Sequence, residues 1–341
     1  MSVADFEIVK ESSYIPWNEL DNKTILITGA NGLIGINLMK YILEYAMCSN
    51  LHINIVATVR NKSKLLQKME SFGINNTDVE IVEWELSQQL KVNRHIDYII
   101  HTAAPTSSKF FKDNPVENIE AIVGGTKNVL EFAKAAGIKS MVYLSTMEVF
   151  GNPPKGQLVD ENYNGSFDTR KPRNSYPFGK LLAENLCCSY SAEYGLDVKI
   201  LRLTQTFGPG VEYNDGRVFA EFARCAIEKR NIILMTKGET ERNYLYTVDA
   251  VTAILTVLLK GKSQDIYIGA NEDTYCSIYE MAKMVADKHG ISVEIQEIDT
   301  NAFGYADIIY MKLTSAKLQE LGWKPVVGLE EMYEKMIDSF I

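Results

Sequence analysis

The chain has 341 residues, 46% hydrophobic and 23% charged, with 35 Lys and Arg against 44 Asp and Glu and a formal charge of −9. This balance excludes a disordered chain, a fibrous repeat and a coiled coil, and it argues against a general nucleic-acid or anionic-membrane surface. At roughly 150 residues per domain, the length predicts two domains, or one large α/β domain with an added lobe.

The first residues, Met1 to Glu7, lack the basic region and apolar core of a signal peptide. No apolar run approaches the roughly 18 residues of a membrane-crossing helix. The five cysteines, Cys48, Cys187, Cys188, Cys225 and Cys276, are odd in number and lack metal-ligand spacing. The expectation is a cytoplasmic protein with buried thiols, no metal and no membrane or nucleic-acid partner.

Residues 1–22 read as an N-terminal extension, with Ile15-Pro16-Trp17 as an apolar anchor. Strands are expected at 23–28, 53–59, 78–83, 97–101, 140–145 and 198–202. Helices are expected at 33–45, 116–136 and 176–194. This alternation predicts a doubly wound parallel sheet with helices on both faces and its ligand crevice at the carboxyl ends of the strands. Past Arg202 the pattern loosens. Turn signals at Gly208-Pro-Gly210 and Asn214-Asp-Gly216 precede a helix at 218–229, a short strand at 232–235 and helices at 248–259, 277–289 and 329–340.

The first strand runs into Gly29-Ala-Asn31-Gly32-Leu33-Ile34-Gly35. Glycines at this spacing between strand and helix permit a tight turn, close approach of a pyrophosphate and close helix–strand packing. The first-turn N–H groups then face the phosphates. An acid at the end of the second strand would hold the ribose 2′-hydroxyl of NAD. Here Arg60-Asn61-Lys62 stands instead, which favours the 2′-phosphate of NADP. Glu85, after the third strand, is a candidate acceptor for the adenine amine.

Tyr176 and Lys180 lie four apart at a helix start and so share a face. A nearby ammonium stabilises a phenolate, which suits Tyr176 to take a proton from a sugar hydroxyl. Thr146, past the strand at 140–145, can bond that hydroxyl, and Glu148 is a candidate second base.

Together these residues resemble the extended short-chain dehydrogenase/reductases that act on nucleotide sugars. The resemblance runs from Lys23 to the C-terminus and rests on the glycine turn, His101-Thr102-Ala103-Ala104, Ser145-Thr146, Tyr176 with Lys180, Arg202 to Pro209, and Arg242 to Asp249. It implies a Rossmann sheet over 23–203, to which 241–266 returns. A smaller discontinuous α/β lobe from 204–240 and 267–341 would bind the sugar nucleotide. It implies catalysis by Thr146, Tyr176, Lys180 and Glu148, with Leu86, Thr102, Ala103 and Ala104 beside the cofactor. Pro105, Ser107, Thr146, Gln205, Arg217 and Arg242 would face the substrate, the arginines gripping its diphosphate. It favours NAD over NADP and implies a homodimer built through the helices at 116–136 and 176–194.

Two subfamilies are most similar. UDP-glucuronate decarboxylases share the run from His101 to Ser107 and the Ser-Thr-x-Glu-Val pattern. dTDP-glucose 4,6-dehydratases carry Thr-Asp-Glu where this chain has Thr146-Met147-Glu148, and methionine cannot replace the proton-donating acid. Ile122 stands in place of a common asparagine before Gly125-Thr126, and Gln205 replaces another. Decarboxylation or an epimerase/dehydratase-like reaction is therefore expected. The alternatives are an NADPH-dependent reductase of a 4-keto nucleotide sugar and a non-catalytic dinucleotide-sensing protein.

Overall fold

The computed structural model describes residues 3–75, 77–297 and 308–341. In chain order the strands are β1 (Lys23–Thr28), β2 (Ile53–Val59), β3 (Val79–Glu83), β4 (Tyr98–His101), β5 (Ser140–Thr146), β6 (Leu158–Val159), β7 (Val198–Leu203), β8 (Gln205–Phe207), β9 (Ile232–Leu234), β10 (Glu241–Tyr246), β11 (Ile266–Gly269), β12 (Asn271–Ser277), β13 (Val293–Ile295) and β14 (Tyr310–Leu313). The helices are α1 (Val3–Lys10), α2 (Leu33–Ser49), α3 (Lys62–Ser71), α4 (Ser108–Asp113), α5 (Pro115–Ala136), α6 (Ser175–Tyr194), α7 (Val218–Glu228), α8 (Thr247–Lys260), α9 (Ile278–His289), α10 (Ala316–Gln319) and α11 (Leu329–Phe340).

Seven parallel strands form the larger sheet in the order β11-β7-β5-β4-β1-β2-β3. Chain order reverses between β1 and β4, which is where a doubly wound sheet opens its crevice. Side chains on a strand alternate between faces. Leu26, Val56, Ile99, Met141, Tyr143 and Ile200 therefore pack with α5 and α6 on one side. Ile25, Ile27, Ile55, Ala57, Val142, Leu144 and Leu201 pack with α2 and α8 on the other. This is the expected α/β fold with a Rossmann sheet and a smaller second sheet. The second sheet has the order β12-β10-β14-β6, with β8 beside β10.

Among the differences from the sequence expectation, two concern how the lobe meets the larger sheet. The return to the larger sheet does not stop at residue 266: Ile266–Gly269 is its edge strand, parallel to β7. Within 241–266, β10 joins the smaller sheet, and only α8 and the start of β11 serve the larger one. β12 also escapes the hydrophobic pattern, because Asn271-Glu-Asp-Thr-Tyr-Cys-Ser277 is mostly polar. It is held instead by Thr274 Oγ1, which donates to the Tyr244 carbonyl and accepts from the Tyr244 N–H, each at 2.8 Å.

The N-terminal segment packs onto the body. Ile15 and Trp17 are buried, and Trp17 stacks on Tyr45 with ring centroids 3.9 Å apart. Asp5 is buried where Tyr246 Oη (2.9 Å) and Lys335 Nζ (2.8 Å) donate to it. Buried thiols hold for Cys187 and Cys225, whereas Cys48 is exposed. No metal-binding cluster occurs among the described residues, and no described helix is long and apolar enough to cross a membrane.

Candidate functional site

The glycine turn joins β1 to α2 at the crevice. Gly29 has φ +68°, and a Cβ there would sit 2.9 Å from Ala103 Cα. A Cβ on Gly35 would sit 2.5 Å from the Gly29 carbonyl oxygen. Neither position admits another residue without moving backbone. α2 starts at the extended Gly32 without a capping side chain, so the N–H groups of its first turn are left for an external acceptor. These features fit a dinucleotide pyrophosphate. The opposite wall is tied to the turn, since Thr102 Oγ1 donates to the Thr28 carbonyl (2.6 Å) and the Ala103 N–H to Thr28 Oγ1 (3.2 Å).

His101 braces this wall from behind. Burial, with Lys180 nearby, drives its pKa down to about 3, so the ring is neutral. The Thr126 hydroxyl spends its proton on the Ile122 carbonyl (2.7 Å), so it accepts from His101 Nε2 (3.2 Å). Nδ1 is then left to accept from Thr28 Oγ1 at 2.7 Å.

Other expected cofactor residues have varied surroundings. Arg60 is exposed just past β2. On the neighbouring strand, Glu83 Oε1 accepts from the Lys62 N–H at 2.9 Å. Glu85 is exposed, and Leu86 packs against Gly125 of α5. Sequence reasoning missed Lys68, whose ammonium donates to the Asn31 carbonyl on the glycine turn (3.2 Å). Its only signal was helical spacing within α3.

The catalytic candidates gather where β5 ends against the start of α6. Thr146 closes β5, and its Oγ1 accepts from the Glu148 N–H (3.2 Å). Tyr176 is 7% exposed and stacks on Phe111 with centroids 4.3 Å apart. Lys180, one turn along, donates to the Leu144 carbonyl (2.8 Å) and lies over the Tyr143 ring. Burial lowers its pKa to about 8, which leaves the ammonium charged at neutral pH.

The phenol has its own surroundings in the chain alone. It is pushed above its ordinary range, first by burial and then by Glu148, while a hydrogen bond with Thr146 and the Arg173 charge pull it down. The ammonium of Lys180 is directed to a backbone carbonyl instead, so in the chain alone it is not the cation that depresses Tyr176.

Glu148 does not stand as a lone base. Arg173 Nη2 donates to its Oε2 at 2.8 Å, and the same guanidinium lies 5.2 Å from the centroid of Phe111. The sequence reading missed Arg173. Its signal was a position three residues before Tyr176. Met147 is buried in a small apolar cluster, where its sulfur accepts from Thr204 Oγ1 (3.4 Å).

On the lobe side, Arg242 Nη1 donates to Gln205 Oε1 (3.4 Å), while its buried Nε has no partner among the described residues. A buried guanidinium nitrogen left open in this way suits an anionic ligand. Ser145 Oγ is also buried and without a partner among the described residues. Arg217 is already engaged, since its Nε and Nη2 both donate to Asp215, at 2.9 and 2.6 Å. Ser107 caps α4, accepting from the Phe110 N–H (3.4 Å), and Pro105 and Ala104 are half-buried before it. Asn37 Nδ2 ties α2 to the lobe by donating to the Pro209 carbonyl (3.1 Å).

The chain is 29% identical over 323 residues to UDP-glucuronic acid decarboxylase 1 of Xenopus tropicalis, covering 95% of this chain and 73% of that protein. Its fold is similar to the dTDP-glucose 4,6-dehydratase DesIV of Streptomyces venezuelae, solved with NAD and TYD bound. That comparison has a TM-score of 0.77 at 22% identity and covers 93% of this chain and 96% of that one. It is also similar to the UDP-glucose 4-epimerase of Thermotoga maritima, with a TM-score of 0.77 at 20% identity, covering 93% and 98%. Residues 25–269, from the first strand through the last strand of the larger sheet, match a single family. By that match, the chain belongs to the NAD dependent epimerase/dehydratase family.

Proposed function

We propose that the chain oxidises a nucleotide-diphosphate sugar at carbon 4, and that the outcome is decarboxylation of a hexuronate. The observation that carries this reading is the convergence of Thr146, Tyr176 and Lys180 at the end of β5, with Met147 buried beside them. Tyr176 Oη takes the proton of the 4-hydroxyl while Thr146 holds that oxygen. NAD(P), when bound, would supply the hydride chemistry at carbon 4, as reversible acceptor of the one hydride that the oxidation releases and the final reduction needs. The resulting 4-ketone makes the carbon-6 carboxylate a β-keto acid. The bond between carbons 5 and 6 then breaks, its electron pair passes into the carbonyl, and carbon dioxide leaves. Carbon 5 takes a proton from water, and Tyr176 returns its proton to the oxygen on carbon 4. No acid is needed at position 147, unlike in loss of a carbon-6 hydroxyl.

The glycine turn, Thr102 and Ala103 hold the cofactor in this reading, and Arg242 with Gln205 holds the diphosphate. The relative from Xenopus tropicalis supports UDP-glucuronate as the substrate to try first. Apolar Val116 and Ile119 on α5 and Leu182 and Tyr194 on α6 are exposed, which supports a homodimer through these helices.

A second reading rests on Arg60 and Lys62, both exposed beyond β2, where no acid of that strand faces a ribose 2′-hydroxyl. They favour NADPH and net reduction of a 4-keto nucleotide sugar. One experiment separates the two. Incubation with UDP-glucuronate, followed by mass spectrometry, is expected to give a UDP-pentose without consumption of added NADPH. No pentose from folded, cofactor-loaded protein rejects decarboxylation. Turnover of a 4-keto sugar with one NADPH used per product supports the second reading.

A further inference from the structure

Four arginines in the described residues meet a carboxylate through two nitrogens. Arg170 does so on Asp168, Arg202 on Glu184, Arg217 on Asp215 and Arg224 on Glu221. Arg173 is different. It gives Glu148 a single bond from Nη2, and its Nε and Nη1 have no partner among the described residues. Both side chains stay partly open, at 38% for Arg173 and 32% for Glu148. Half of a fork built for two parallel bonds is thus unused, beside the phenol that marks the reacting carbon.

We infer that Arg173 is a specificity-determining residue that receives a carboxylate borne by the sugar. The inference rests on the proposed oxidation at carbon 4 and adds what that reading leaves open, namely which group tells an acid from a neutral sugar. Position argues for it. The Arg173 charge acts on the Tyr176 phenol, so it lies near the carbon being oxidised, and the carboxylate carbon is two bonds from carbon 4. Charge argues for it as well. Glu148 alone would repel an anionic sugar, and its bond to Arg173 offsets that charge while leaving two nitrogens to donate. The far end of the ligand has its own partner in Arg242, whose free Nε is buried. Phe111 fixes the arrangement, lying against the Tyr176 ring and under the Arg173 guanidinium.

The test measures binding without turnover. In a Tyr176→Phe background, the affinities of UDP-glucuronate and UDP-glucose are compared by calorimetry. The background itself is expected to bind UDP-glucuronate at least tenfold more tightly than UDP-glucose. Adding Arg173→Gln is expected to weaken UDP-glucuronate binding tenfold or more and to leave UDP-glucose within twofold. Arg173→Lys, which keeps the charge without the fork, should recover part of the loss. An equal loss for both sugars, no loss for either, or no initial preference for the acid overturns the assignment. Because no product is measured, a chain that selects the acid but never yields a pentose would reject the reaction and leave Arg173 in its role.

Discussion

Tyr176→Phe is expected to lower nucleotide-sugar turnover by about 10²- to 10⁴-fold, the usual contribution of a positioned acid or base. The folded state should survive it. The stack of ring 176 on Phe111 and its burial depend on the ring, not on the hydroxyl. What disappears is the phenol oxygen proposed to take a proton from the sugar. Its environment explains why neighbours matter. Burial and Glu148 hold the phenol above its ordinary range, and Thr146 and Arg173 oppose them. Lys180 keeps its proton at neutral pH while bonded to the Leu144 carbonyl, so it supplies a fixed positive charge near His101, which stays neutral. Turnover measured beside the thermal melting curve checks the expectation. Unchanged turnover, with a melting point equal to the parent, would remove Tyr176 from the mechanism.

The largest stability effect is expected at Arg202. Its guanidinium, on β7, donates to Glu184 on α6 through Nε at 3.0 Å and Nη2 at 2.7 Å, and both side chains are buried. It also donates to the Glu161 carbonyl at 3.4 Å and lies over Phe150. Removing one partner strands the other charge out of water, so Arg202→Met should cost about 3–5 kcal/mol. Replacing both, as Arg202→Met with Glu184→Met, should recover most of that loss, because two charges then leave the interior together. Urea unfolding of the parent, the single variant and the pair reads both statements. A single variant within about 1 kcal/mol of the parent would mean that the pair is solvated and contributes little. The effect bears on function, because α6 carries Tyr176 and Lys180 and this pair fixes it to the sheet.

How much of this was legible in the sequence depended on the kind of contact involved. Strands such as Ile53–Val59, and the glycine turn after Thr28, announce themselves through apolar runs and residues that no other side chain replaces. The lobe was harder to read. β10 and β12 pair through a bulge, and buried Asn243 and Thr274 satisfy backbone groups there, so polar residues stand where apolar ones were sought. At the site, Tyr176 and Lys180 were readable from their spacing on one helix face. Arg173 was not, since it sits in a polar stretch and meets Glu148 only after β5 and α6 are docked 25 positions apart in the chain. Arg217 has a local partner that residue spacing did not record, since Asp215 takes two nitrogens of its fork. The phenol's raised pKa likewise follows from burial, which residue spacing does not record.

In the proposed reaction the site oxidises carbon 4, the sugar loses its carboxylate and carbon 4 is restored. UDP-glucuronate carrying deuterium on carbon 4 tests it most directly. The expected product is a UDP-pentose that keeps the deuterium on that carbon, made with no build-up of reduced cofactor in solution. A pentose whose carbon 4 has exchanged its label for solvent hydrogen, or a product that still carries the carboxylate, would contradict it.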